Sequence, residues 1–171
     1  MRTTLTTIVL SLALTSISME QSDKKISTEI IIEASQEQVW EVITDNTNWG
    51  NWNPFMISSE GKIALGEKLD NTLQMTDKTM EFKPKIIEYT EGVSFTWLGK
   101  FIMPGIADGK HSFEIVDLGN GSVKFLQYEK FSGVLSGMLM KKYGAETIEN
   151  FNKMNRALKD YVESNSLAAK K

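Results

Sequence analysis

The stretch Lys110–Lys130, KHSFEIVDLGNGSVKFLQYEK, decides how the rest of the chain is read. Lys110 to Asp117 alternates, with His111, Phe113 and Ile115 on one side and Lys110, Ser112 and Glu114 on the other, the period of a strand with one buried face. Ser122 to Lys130 alternates too, with Phe125, Gln127 and Glu129 in one phase. Between the two runs stands Asn120-Gly121, a dipeptide favoured in two-residue hairpin turns because both central residues must accept positive φ. Asn120-Gly121-Ser122 also spells a glycosylation acceptor triplet, but the turn accounts for it first. The stretch reads as a long antiparallel hairpin whose aromatic face has to be covered by the rest of the chain.

On the C-terminal side, Ile148, Phe151, Met154 or Asn155, Leu158, and Tyr161 or Val162 form an apolar stripe at helical period that extends to about Ser164. This is a long amphipathic helix and carries the only stripe large enough to cover a sheet. On the N-terminal side, the runs Thr79 to Tyr89 and Val93 to Leu98 are β-type. Gly61, Gly66, Asp77-Lys78, Glu91-Gly92 and the segment Pro104–Gly109 punctuate the chain, which gives about six strands between Phe55 and Glu129. Ile26 to Glu33 (ISTEIIIE) reads as a first strand. Ser35 then stands at an N-cap position with Gln38 three residues on, and Val39, Trp40, Val42 and Ile43 succeed it at helical spacing. Trp49, Trp52 and Phe55 recur every three residues until Pro54 closes the turn, which predicts a second short helix.

The order is strand, two short helices, about six antiparallel strands and one long helix. That is an α+β chain in which a curved sheet of about seven strands wraps on the C-terminal helix. Such a sheet need not close tightly on a single helix, so a cavity between them is expected.

Composition supports one domain: 171 residues, 41% of them hydrophobic and 24% charged. With 19 basic and 22 acidic residues the net charge is −3, and the basic residues form no stripe, so nucleic acid is not an expected partner. The absence of cysteine removes disulfides, thiolate nucleophiles and zinc ribbons. Arg2, followed by the uncharged stretch Thr3–Ser18 with an apolar centre at 8–14, has the layout of a secretory leader. This predicts a signal peptide over residues 1–18, a domain over 19–171 with its core at about 26–164, and an exported product with no stable membrane span once the leader is removed. Translation from Met19 would instead give a cytoplasmic protein.

Several short pieces, taken together in order and spacing, resemble the SRPBCC superfamily of START and birch-pollen-allergen-like proteins, in particular its polyketide cyclase/dehydrase and lipid transport group. They are Ala34-Ser35 with Val39-Trp40, Trp49-x-x-Trp52-Asn53-Pro54-Phe55, Phe82-x-Pro84, Phe95-x-Trp97, and Pro104-Gly105-Ile106-x-Asp108-Gly109-x-His111-x-Phe113. Glu129-x-Phe131-x-Gly133 and Met154-Asn155-x-x-Leu158-Lys159 complete the set, which spans about residues 26 to 164. The resemblance implies a helix-grip fold, a cavity for lipids, polyketides or similar apolar molecules, and no universal cofactor.

His111 is the only histidine, and its phase with Phe113 and Ile115 points it inward. It reads either as a histidine satisfied by its neighbours, as a donor to a ligand, or as a general acid/base; a lone histidine without an orienting carboxylate is not assigned a catalytic role. The cavity lining expected from the strands facing the long helix is Phe82, Phe95, Trp97, His111, Phe113 and Phe125, with Asn155 a polar contact on the helix stripe. Gln127 and Glu129 share the phase of Phe125. Because strand ends are usually solvated, Glu129 is expected to be exposed; were it buried, its pKa would rise and it could act as a base. No metal site is expected, because no closely spaced carboxylates join the single histidine and no HExxH or phosphate loop occurs. The segments Phe101–Ala107 (FIMPGIA) and Gly133–Met140 (GVLSGMLM) are apolar without strand alternation. Each reads equally as a cavity gate or as a packed helix start.

The leading functional expectation is a binding or carrier protein for a small hydrophobic molecule. The alternatives are a cyclase or hydrolase using His111, perhaps with Glu129, and a module that binds another protein through a sheet edge or the Met-rich segment.

Overall fold

The computed structural model describes residues 25–74, 78–100 and 106–168. The leader expected over 1–18, the alternative start at Met19 and most of Phe101–Ala107 lie outside those residues. The first strand, β1 (Lys25–Ile32), buries Ile26, Thr28 and Ile32, and it lies along the last strand, β8 (Val123–Ser132), with Ile30 opposite Phe125 and Thr28 opposite Gln127. The first and last strands are thereby locked together.

Five antiparallel strands take the order β1-β8-β7-β6-β5, where β5 is Lys85–Thr90, β6 Ser94–Lys100 and β7 Asp108–Asp117. A smaller sheet holds β2 (Met56–Glu60), β3 (Asp70–Gln74) and β4 (Thr79–Phe82). The described residues thus hold eight strands in two sheets, not about seven in one. The run Thr79–Tyr89 is split at Lys83-Pro84 because proline has no N–H to give to a ladder. The two sheets are tied where Leu69 N donates to Pro84 O at 3.0 Å and Ile86 N to Glu67 O at 2.8 Å.

The β7–β8 turn also differs from expectation. Gly119 (φ 73°) and Gly121 (φ 85°) take the left-handed conformation, and Asn120 does not. The Asn120 side chain instead accepts from Ser122 N at 3.1 Å, and Leu118 N donates to Ser122 O across a three-residue loop.

The first helix, α1 (Gln36–Thr44), begins with the capping box read from sequence: Gln38 N donates to Ser35 Oγ at 3.2 Å and Ser35 N to Gln38 Oε1 at 2.9 Å. The second short helix is a 3-10 helix, Asn46–Asn51, that buries Trp49. The long helix, α2 (Ser136–Ala168), starts well before the stripe at Ile148. Most of Gly133–Met140 is therefore the beginning of α2. Met154, Leu158 and Val162 of α2 join Ile32, Val39, Phe95, Phe113 and Phe125 in the main core. A second cluster of Ile26, Phe131, Met140 and Phe151 sits toward the start of the helix.

Candidate functional site

A cavity of about 480 Å³ lies between the N-terminal half of α2, strands β6–β8 and the small sheet, within the size range of ligand pockets. Four of the seven residues read from sequence stand on its wall: Phe82, Trp97, His111 and Phe113. Phe95 and Phe125 are fully buried in the core behind it, with Phe95 stacked on Phe113 at 4.7 Å. Asn155 is buried among polar partners away from the wall.

Phe82 reaches the site from β4, and its ring packs edge-on to Trp97 at 6.2 Å. This approach depends on Gly99 of β6, where any Cβ would collide with the Phe82 ring. Trp97 in turn contacts Trp49 at 6.0 Å on one side and His111 at 5.2 Å on the other.

His111 is clamped between the rings of Phe113 and Phe151, whose centroids lie 4.2 and 4.4 Å away, so only its edges can meet polar partners. Its Nε2 lies 3.0 Å from Gln127 Oε1. Gln127 Nε2 donates to Asn155 Oδ1 at 2.6 Å and, more weakly, to the Phe151 carbonyl at 3.4 Å, and Asn155 Nδ2 donates to Thr28 Oγ1 at 3.2 Å. The Phe151 carbonyl can only accept, so the nitrogen of the Gln127 amide faces the helix and its oxygen faces His111. Nε2 is consequently the protonated nitrogen of the neutral ring, and Nδ1 carries a bare lone pair.

That lone pair faces Glu129, whose Oε2 is 3.6 Å away. The expectation that Glu129 would be exposed is corrected here: it is 7% exposed and on the cavity wall, because β8 runs on to Ser132 and the early start of α2 covers its end. Burial pushes the Glu129 carboxyl up to about 8. Burial also drives His111 down to about 3, against the hydrogen bond to Gln127, which favours the charged form. At neutral pH both side chains are uncharged, and Glu129 holds a proton beside the bare Nδ1.

Asn53 is a further polar residue on the wall. Its Oδ1 accepts from the Phe55 and Met56 N–H groups, each at 3.2 Å, and its buried Nδ2 has no partner among the described residues. The remaining wall includes Leu139, Tyr143 and Thr147. These had not been read as site residues, although Leu139, Tyr143, Thr147 and Met154 extend one helical phase back from the stripe. Among the described residues no group of three or more His, Asp or Glu side chains could hold a metal ion, and no helix is long and apolar enough to cross a membrane.

Residues 23–163 match the family model for polyketide cyclase / dehydrase and lipid transport. Among solved structures, a START superfamily protein from Mycobacterium smegmatis is 19% identical, with a TM-score of 0.63 over 82% of this chain and 98% of that one. The Zhui aromatase/cyclase from Streptomyces sp. R1128 is 12% identical, with a TM-score of 0.69 over 85% and 97%. A Rhodobacter sphaeroides protein is 10% identical, with a TM-score of 0.72 over 87% and 99%. At such identities the likeness establishes the fold, the helix-grip arrangement of START-like proteins, and leaves the ligand open. No curated protein matches the chain in sequence.

Proposed function

We propose that this chain, which belongs to the polyketide cyclase / dehydrase and lipid transport family, is a carrier that encloses one small apolar molecule between its sheet and the N-terminal half of its long helix. The supporting observation is the cavity itself: about 480 Å³, walled largely by aromatic and aliphatic side chains, with polar groups that include the buried His111 and Glu129. Burying an apolar guest there gains roughly 25 cal/mol per Å² removed from water, and the polar groups fix its orientation.

Native mass spectrometry of the full chain purified from its own host, with solvent extraction of any co-purifying molecule, tests this. A stoichiometric apolar guest is expected. A protein that is empty, and remains so when offered lipid and polyketide mixtures, overturns the reading. The leader-like sequence at residues 1–18 supports export of the carrier; an intact mass beginning at Met1 would overturn that part.

A second reading is favoured by the His111–Glu129 pair. A bare Nδ1 can take a proton from a substrate carbon, as a cyclase needs, or from an attacking water, as a hydrolase needs, while the Glu129 O–H gives one to the substrate oxygen. On this reading His111→Ala abolishes turnover and leaves ligand affinity largely intact. On the carrier reading the same change alters affinity alone.

A further inference from the structure

Resting on the carrier reading, we infer that the cavity selects neutral guests bearing an alcohol or ketone oxygen and discriminates against carboxylates, because the amide relay through Gln127 leaves a bare acceptor at His111 Nδ1 beside Glu129. The relay has one direction. The Phe151 carbonyl at 3.4 Å and Asn155 Oδ1 at 2.6 Å both accept hydrogen bonds from Gln127 Nε2, so Gln127 Oε1 accepts from His111 Nε2. Gln127 and Asn155 never touch the cavity but set what its wall presents. They are positioning residues.

At its buried corner the wall presents one bare acceptor, His111 Nδ1, beside one donor, the Glu129 carboxyl proton, while Thr147 and Asn150 border the cavity from α2. A hydroxyl both donates and accepts, and satisfies such a corner. A ketone oxygen accepts from Glu129. A carboxylate needs several donors and a compensating positive charge, but it meets a lone pair and a carboxyl group in an apolar pocket, where an unpaired charge is costly. Among the described residues the other titratable groups on the wall are Lys78, Tyr143 and Glu146, all exposed. Lys78 is the only lysine or arginine among the described residues on the wall.

Two measurements on the full chain test this. Because His111 is the only histidine, ¹⁵N NMR of its ring reads the tautomer without ambiguity. Protonated Nε2 with bare Nδ1 is expected at pH 7, and protonated Nδ1 overturns the inference. Calorimetric titration with decan-1-ol, decan-2-one and sodium decanoate at the same pH should give tighter binding of the alcohol and ketone than of decanoate, by about tenfold or more. Gln127→Glu places a carboxylate against Nε2, favours the doubly protonated ring, turns Nδ1 into a donor and should narrow that gap. Equal binding of alcohol and carboxylate, above all if Lys78→Met then weakens decanoate, overturns the inference and leaves the carrier reading standing. Failure of all three probes to bind overturns both.

Discussion

The two halves of α2 do opposite things to the same sheet. From Phe151 to Val162 the helix closes on it: Met154, Leu158 and Val162 are buried at helical spacing, and the polar Asn155 is drawn into a chain with Gln127 and Thr28. From Ser136 to Asn150 the helix stands off. Met140 is its only large apolar side chain that is buried, Leu139, Tyr143 and Thr147 face an open volume, and Met138 is exposed. One helix thus acts as a core element at one end and as a cavity roof at the other. The difference lies in which side chains fall on the inward phase, apolar and well packed in the second half, mixed and more polar in the first.

Truncations at matched positions give the most direct way to break this comparison. Leu158→Ala opens a void in the closed half and should cost about 2–5 kcal/mol in chemical denaturation, whereas Leu139→Ala on the roof should cost less than about 1 kcal/mol, because its side chain already borders open space. Equal losses would show that the first half is as tightly packed as the second. Next in size is Asn155→Ala, which strips the Thr28 and Gln127 partners and should cost about 1–3 kcal/mol by the same measurement.

The pH dependence of stability sharpens the contrast at the site. Glu129 has a folded pKa raised to about 8, so its contribution is fully present below about 4.5 and is lost as pH rises toward 8. His111 has a folded pKa lowered to about 3, so its contribution is present above about 6.5 and is lost as pH falls toward 3. Between about 4.5 and 6.5 the two slopes oppose each other. Wild-type stability is therefore expected to be nearly level there and to fall on both sides, by at most about 1.4 kcal/mol per pH unit. Glu129→Gln should remove the alkaline fall and keep the acid one, read from urea unfolding at several pH values. A wild-type curve with no fall between pH 6.5 and 8 would place Glu129 in water. The smallest effect belongs outside the roof: Val134→Ser, at a side chain that is 88% exposed, should change stability by no more than about 0.5 kcal/mol.

Much of the fold was legible because local rules act over a few residues. The Ser35–Gln38 capping box, the alternation through His111, Phe113 and Ile115, and the stripe from Phe151 to Val162 each report a periodicity or a hydrogen bond that the neighbouring sequence completes. The failures came where the outcome depended on distant partners. Thr79–Tyr89 reads as one strand until two sheets divide it at Pro84. Asn120 suits a left-handed turn, yet its flanking glycines take that role. Gly133–Met140 has no clear period of its own, and most of it becomes helical as the first turns of α2.

The sequence by itself determined the order of elements, the inward face of the hairpin and the inward pointing of the only histidine, since each depends on phase along one segment. Only the tertiary structure decided which inward residues line open space and which are core. Phe95 and Phe125 have the same phase credentials as Phe82 and Trp97, and the gap between helix and sheet separates them. It also decided the chemistry of the site: Glu129 is buried, and His111 is held in one tautomer, by a helix carbonyl and two amides that come from elements far apart in the chain. Burial and hydrogen-bond direction are properties of the assembled neighbourhood, and no stretch of sequence carries them alone.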